Sequence, residues 1–221
     1  MHQSAQQNGS GVLEHIDSEP LKKREKKKKK KMSDEDPNLP HVISSYGWGQ
    51  PRLKAPSAIL DWLFLGTFEH ARSQAMMEYL GITHVLDVEM GGSKPEWLAA
   101  ERYLGRPMCD GGGTDLGSMI DDATLFIRAA HEAGHKVLVH CEFGINRSTT
   151  ALVAYLVRFC DMSLRDALVL CRQRRAVVRP RTSYIAQLAA LERLWRPERP
   201  EEEYLALDEL RTIFNETRDY E

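Results

Sequence analysis

The stretch Val137-Leu-Val-His-Cys-Glu-Phe-Gly-Ile-Asn-Arg-Ser-Thr149 constrains the fold more than any other part of the chain. Val137–Val139 is a short, strongly apolar run with Gly134 before it, the pattern of a buried strand that ends at His140. Gly144 marks a turn, and from about Ser148 to Phe159 the residues are apolar nearly all round. A helix with so little polar surface has no face to give to water and must be buried. The segment therefore places a short loop between the carboxyl end of a strand and the amino end of a buried helix.

The flanking sequence extends this into an α/β layer. Ala58–Leu65 and Thr83–Val88 read as strands, and a third strand is expected near Gly105–Met108. Glu69–Leu80 reads as a helix capped by Gly81, and a helical stretch is expected near Glu96–Tyr103. Ser118 with Asp121, and Ser163 with Asp166, have the spacing of capping boxes that open helices. Further helices are expected near Ser183–Trp195 and Pro200–Thr217. Strands alternating with helices predict an α/β fold, with a mainly parallel central sheet flanked by helices.

Charge divides the chain. Residues 22–31 hold nine Lys or Arg and one Glu, which leaves 21 basic residues against 31 acidic ones elsewhere. A remainder that acidic excludes a globally basic nucleic-acid binder, so nucleic-acid contact falls to the basic run alone. Residues 1–40 carry too few apolar groups to offset ordering entropy and read as a disordered basic and polar tail. The lysine run is a solvated segment, a nuclear-import or RNA-contacting patch, or a membrane-surface patch. Residues 41–55 form a linker or flank, 56–196 the globular domain, and 197–221 a C-terminal helical extension. No stretch approaches 18 apolar residues, so no transmembrane segment is expected. Cys109, Cys141, Cys160 and Cys171 show no zinc or redox spacing and no secretory leader precedes them, which points to reduced thiols in an intracellular protein, cytoplasmic or nuclear.

The loop itself carries chemistry. Unsatisfied amide groups and the positive end of the helix macrodipole face whatever lies above it, an arrangement suited to a phosphate dianion. The same field favours a sulfur anion at Cys141, the form in which cysteine is a nucleophile. Arg147 can hold two phosphate oxygens through parallel hydrogen bonds, which lysine cannot do. Ser148 can donate to the sulfur when it leaves, and Gly144 permits positive φ. Removing phosphate from an alkyl oxygen also needs an acid. Among the upstream carboxylates, Asp110 follows a strand and opens the glycine-rich run Gly111–Gly113, a flexible loop able to close over the site. Asp115 is the alternative, and Asp121 and Asp122 fit a helix start.

His140-Cys141, five residues, then Arg147-Ser148 match the signature of the cysteine-based protein tyrosine phosphatase superfamily. From about residue 56 to 195 the chain resembles a small, atypical dual-specificity protein phosphatase. Leu65-Gly66, Gly81-Ile82-Thr83-His84-Val85-Leu86, Ala154-Tyr155-Leu156 and Arg175 through Val178 with Pro180, Tyr184, Gln187 and Leu188 carry the resemblance further. It implies that Cys141 attacks phosphorus, Arg147 clamps the phosphate, Asp110 is the acid and Ser148 assists the second step. It implies that the loop residues Glu142, Phe143, Gly144, Ile145 and Asn146 bind substrate, and that His140 orients the loop without transferring a proton. Phosphotyrosine and phosphoserine or phosphothreonine proteins are the implied substrates, and no metal or organic cofactor is needed. A phosphatase for RNA 5′ ends or another non-protein phosphate, and a non-catalytic phosphoprotein-binding module, are the alternatives.

Two departures stand out. Arg181 occupies the position after the proline where many relatives carry an Asn that supports the loop, which puts that support in doubt. Arg172, Arg174, Arg175, Arg179 and Arg181 form a basic cluster that reads as a solvated face, or else as a second phosphate subsite at the rim.

Overall fold

The structure, a computed structural model, describes Pro40, residues 54–206 and residues 209–215. The tail, nearly all of the linker and the basic run lie outside the described residues. Within them the order of elements is β1 (Ser57–Ala58), β2 (Leu63–Thr67), α1 (Phe68–Arg72), α2 (Gln74–Leu80), β3 (Ile82–Asp87), β4 (Tyr103–Gly105), α3 (Gly117–Glu132), β5 (Lys136–Cys141), α4 (Arg147–Phe159), α5 (Leu164–Arg174), α6 (Thr182–Trp195) and α7 (Leu210–Asn215).

The strands form one sheet in the order β1-β2-β5-β3-β4. All neighbours are parallel except β1 and β2. β5, the strand of the constraining segment, lies at the centre. Its residues alternate between two cores: Val137, Val139 and Cys141 face the cluster that includes Ile127, Leu152, Tyr155, Leu168 and Leu188, while Leu138 joins Phe64, Met76, Met77, Leu80 and Val85. α1 and α2 thus cover one face and α3 to α6 the other. A strand buried on both faces needs apolar residues at every position, which is why Val-Leu-Val has no alternation. Eleven residues of α4, from Arg147 to Val157, are buried, as its all-round apolar sequence requires.

Several expected boundaries shift for local reasons. The expected strand Ala58–Leu65 is instead the end of β1, a tight turn and the start of β2, with Leu63 N–H and Leu60 carbonyl closing the turn at 3.2 Å. The expected helix 69–80 breaks at Ser73, whose hydroxyl accepts from Met76 N–H and caps α2. The helix expected near 96–103 is only a single 3₁₀ turn at Ala100–Arg102, and the third strand comes earlier than expected, at Tyr103–Gly105. Of the capping box expected at Ser163 the cap itself forms, with the hydroxyl accepting from Asp166 N–H at 3.0 Å. The one at Ser118 does not. α3 starts at Gly117 with Leu116 as its cap, and Asp121 pairs with Arg158. Of the helix expected over 200–217, the described residues show a 3₁₀ turn at Glu201–Glu203, buried Tyr204 and Leu205 outside any helix, and the short helix α7; 207–208 and 216–217 lie outside the described residues. Leu205 and Leu210 join the larger core, so the extension packs on the domain. All four cysteines are free thiols.

His70 joins β2 to the chain entering the sheet. Its Nδ1 accepts Thr67 N–H at 2.9 Å and its Nε2 donates to the Lys54 carbonyl at 2.7 Å. Burial, partly opposed by that backbone bond, pushes its pKa down to about 4. Protonating Nδ1 would also break the Thr67 bond. The unfolded chain therefore binds the proton first, and stability is complete above pH 6.5 and falls as pH drops towards 4. The loss from this group is roughly 3 kcal/mol. Thermal midpoints measured from pH 7 to pH 4 should fall steeply, and His70→Gln should flatten the slope. An unchanged slope in the variant contradicts the assignment.

Candidate active site

β5 ends at Cys141, beside Thr67 of β2, and α4 begins at Arg147. The loop between them lies at the carboxyl edge of a parallel sheet, where α/β folds place their ligand sites. Cys141, Arg147 and Ser148 are all buried, and a cavity of about 570 Å³ opens over them. Cys141, Phe143, Ile145, Asn146 and Arg147 line it together with Asp110, Arg179, Pro180 and Arg181.

The loop carbonyls are turned away from this cavity, each held by a hydrogen-bond donor. Glu142 carbonyl accepts Phe68 N–H at 3.4 Å, Phe143 carbonyl accepts Arg175 Nη2 at 2.9 Å, and Gly144 carbonyl accepts Arg175 Nε at 2.8 Å. Ile145 carbonyl takes Arg179 N–H and the Thr149 hydroxyl, both at 2.9 Å, and Asn146 carbonyl takes Thr150 N–H and hydroxyl. A peptide plane whose carbonyl points out points its N–H in. The amides of Gly144, Ile145 and Asn146 donate to no group among the described residues, and α4 starts without a side-chain cap. These donors and the helix end form a cradle for an anion. Gly144 is the pivot, with φ of 67° and with Gly66 carbonyl oxygen 2.4 Å from where a Cβ would sit. No other residue fits there.

Arg147 reaches into the cradle. Its Nε lies 3.1 Å from Asp110 Oδ1, but out of line for a hydrogen bond, so this buried donor is without a hydrogen-bond partner. Its Nη2 is 3.6 Å from Glu142 Oε2. An unsatisfied buried guanidinium N–H is costly, and an oxyanion would satisfy it. Ser148 Oγ lies 3.2 Å from Cys141 Sγ. Of the two carboxylates weighed as the acid, Asp110 lines the cavity, whereas Asp115 accepts Gly117 N–H at 3.2 Å at the start of α3. Phe143 stands half-exposed at the rim. Asn146 is turned sideways: its Nδ2 donates to Asp110 carbonyl at 2.9 Å and Oδ1 at 3.1 Å, and its Oδ1 accepts Arg181 N–H at 2.9 Å.

Beside Cys141, burial lowers the pKa of His140 and keeps it neutral; its Nδ1 is 3.4 Å from Cys141 carbonyl and its Nε2 3.8 Å from Asp87 Oδ2. Asp87, Glu89 and His140 bring ligand atoms within 4.8 Å of one another, the one set among the described residues with metal-site spacing. Asp87 is already engaged by Tyr103 O–H and Glu89 N–H, both at 2.8 Å.

The basic cluster separates into different roles. Arg175 grips two loop carbonyls, Arg172 binds the carbonyls of Ala176 and Val178, and Arg179 and Arg181 line the cavity. The reading of these residues as a solvated face missed Arg175. Its place beside Val178 and Pro180 was the one sequence signal for it.

A buried cysteine and a buried arginine on one loop with inward amides fit the cysteine-dependent phosphatase class. Residues 63–194 match the family model described as the dual specificity phosphatase catalytic domain, and the chain belongs to that family. It is 34% identical to dual specificity protein phosphatase 1 of Mus musculus over 62% of this chain and 37% of that protein. It is 35% identical to dual specificity protein phosphatase 5 of Rattus norvegicus, over 66% and 38%. The chain thus spans well under half the length of these relatives. Among solved structures it is similar to human DUSP28, with 26% identity, a TM-score of 0.61 and coverage of 66% of this chain and 97% of that one. It is also similar to the human tyrosine phosphatase-like serine/threonine/tyrosine-interacting protein, with 28% identity, a TM-score of 0.59 and coverage of 63% and 97%.

Arg175→Ala should lose both charge-assisted bonds that turn the loop carbonyls outward. Losing about 1.4 kcal/mol of preorganisation weakens an oxyanion about tenfold. Inhibition by orthovanadate should therefore weaken by about that factor or more, with the domain still folded by circular dichroism. Unchanged inhibition would show that Arg175 does not set the loop.

Proposed function

We propose that this domain hydrolyses phosphate monoesters on proteins, at phosphotyrosine and at phosphoserine or phosphothreonine, through a cysteinyl-phosphate. The observation that carries this reading is the cradle of inward amides, with a buried Arg147 donor that has no hydrogen-bond partner in the same cavity as Cys141. The phosphoryl oxygens occupy the cradle and the Arg147 fork, where the developing charge of the transition state is held by preorganised donors. Cys141 sulfur attacks phosphorus, the P–O bond to the substrate breaks, and Asp110 gives its proton to the departing oxygen. Asp110 then takes a proton from water as that water attacks phosphorus. The P–S bond breaks, with Ser148 donating to the sulfur. His140, neutral and buried, fixes the strand end without moving a proton.

Membership of the dual specificity family, and a pocket rim formed by Phe143 and exposed arginines, support protein substrates. Among the described residues no helix is long and apolar enough to cross a membrane. The basic run 22–31 serves, in this reading, as an intracellular address or a nucleic-acid contact.

Cys141→Ser should reduce release of phosphate from phosphotyrosine and phosphothreonine peptides by more than about a hundredfold, since the hydroxyl is not ionised at neutral pH. It should still bind inorganic phosphate in calorimetry. Residual activity above about a tenth of the unsubstituted level would remove Cys141 from the nucleophile role.

A further inference from the structure

We propose that Asn146 and Arg181 are positioning residues that lock the Asp110 loop over Cys141, so that the acid sits on a fixed wall and not on a closing lid. This rests on the reading of Asp110 as the acid. The glycines at 111–113 predict a mobile loop, yet the start of α6 stitches this loop down along its length. Arg181 Nε donates to Asp110 carbonyl at 2.7 Å, and Ser183 hydroxyl donates to Gly112 carbonyl at 3.1 Å. Tyr184 hydroxyl donates to Cys109 carbonyl. Gln187 Nε2 donates to Thr114 carbonyl at 3.0 Å, and Gln187 Oε1 accepts Leu116 N–H at 2.9 Å. Gly112 is part of the fit: its φ is 83°, and Ser183 Oγ lies 2.1 Å from the place a Cβ would take.

Within this seam the acid residue itself is held from two sides. Asp110 carbonyl receives Arg181 Nε and Asn146 Nδ2, filling both lone pairs. The Arg181 backbone N–H in turn donates to Asn146 Oδ1, which fixes the side-chain amide so that Nδ2 faces Asp110. The three groups close a ring joining the acid loop, the phosphate loop and the approach to α6. Arg181 thus does work on both neighbours: its backbone orients Asn146 and its side chain anchors Asp110. The support that Arg181 puts in doubt at the sequence level is supplied from the other side, by Asn146 in the loop.

The chemical consequence concerns leaving groups. An acid displaced by an ångström transfers its proton poorly, and the loss is felt in proportion to the basicity of the departing oxygen. Arg181 is exposed, so its truncation leaves the core untouched. We would measure kcat/KM for a series of aryl phosphates of rising phenol basicity with the unsubstituted protein, Asp110→Asn, Arg181→Ala, Arg181→Lys and the Asp110→Asn/Arg181→Ala pair. Arg181→Ala should lose about tenfold on the most basic phenol and less than about threefold on para-nitrophenyl phosphate, steepening the dependence in the direction of Asp110→Asn. Arg181→Lys, which can still donate to a carbonyl, should recover part of the loss. In the Asp110→Asn background Arg181→Ala should add no further steepening. If Asp110→Asn steepens the series and Arg181→Ala runs parallel to the unsubstituted protein, the positioning role is overturned. If Asp110→Asn itself does not steepen it, the acid assignment has failed instead.

Discussion

Everything at this site depends on the outward turn of five consecutive carbonyls, Glu142 to Asn146. Each is held by a donor that belongs to another part of the chain: Phe68 at the start of α1, Arg175 at the end of α5, Arg179 on the approach to α6, and Thr149 and Thr150 in α4. The loop alone would have no reason to present its amides on one side. Folding is what collects the donors, so the anion cradle is a property of the assembled domain. Gly144 makes the approach possible, both by its positive φ and because the Gly66 carbonyl oxygen lies 2.4 Å from where a Cβ would sit.

The sheet supplies the rigidity. β5 is flanked by parallel neighbours on both sides and buried between two cores, so the end that bears His140 and Cys141 has little freedom to move. α4 is buried from its first residue, and its amino end carries Arg147 and Ser148 into the interior. Burying a guanidinium is costly without partners. Arg147 lies beside the carboxylates of Asp110 and Glu142, and its Nε keeps a donor where an oxyanion can accept it.

Much of this was legible in the sequence because it follows from local rules. The strand–loop–helix unit was readable from Val137–Val139, Gly144 and the apolar helix, and the mainly parallel sheet from alternating elements. Ser163 capped its helix as expected, whereas Ser118 did not, because tertiary packing starts α3 earlier and draws Asp121 to Arg158. The helix expected over 200–217 forms only as the short α7, and its earlier part is interrupted where Tyr204 and Leu205 are buried. The spacing of Arg175 and Asn146 from their partners was not legible. Arg175 meets Gly144 across 31 residues, and Asn146 meets Asp110 across 36, and neither periodicity nor capping reports such contacts. A glycine-rich run reads as mobile from composition, while the seam with α6 that fixes it exists only in three dimensions.

The central claim is that phosphate passes through sulfur at Cys141. Acid quenching of the domain during turnover of a phosphotyrosine peptide, followed by peptide mass spectrometry, tests it most directly. The account predicts a phosphate adduct on the peptide containing Cys141, absent when Cys141→Ser is quenched in the same way. Turnover without an adduct on that peptide, or an adduct on Cys109, Cys160 or Cys171 in its place, would contradict it.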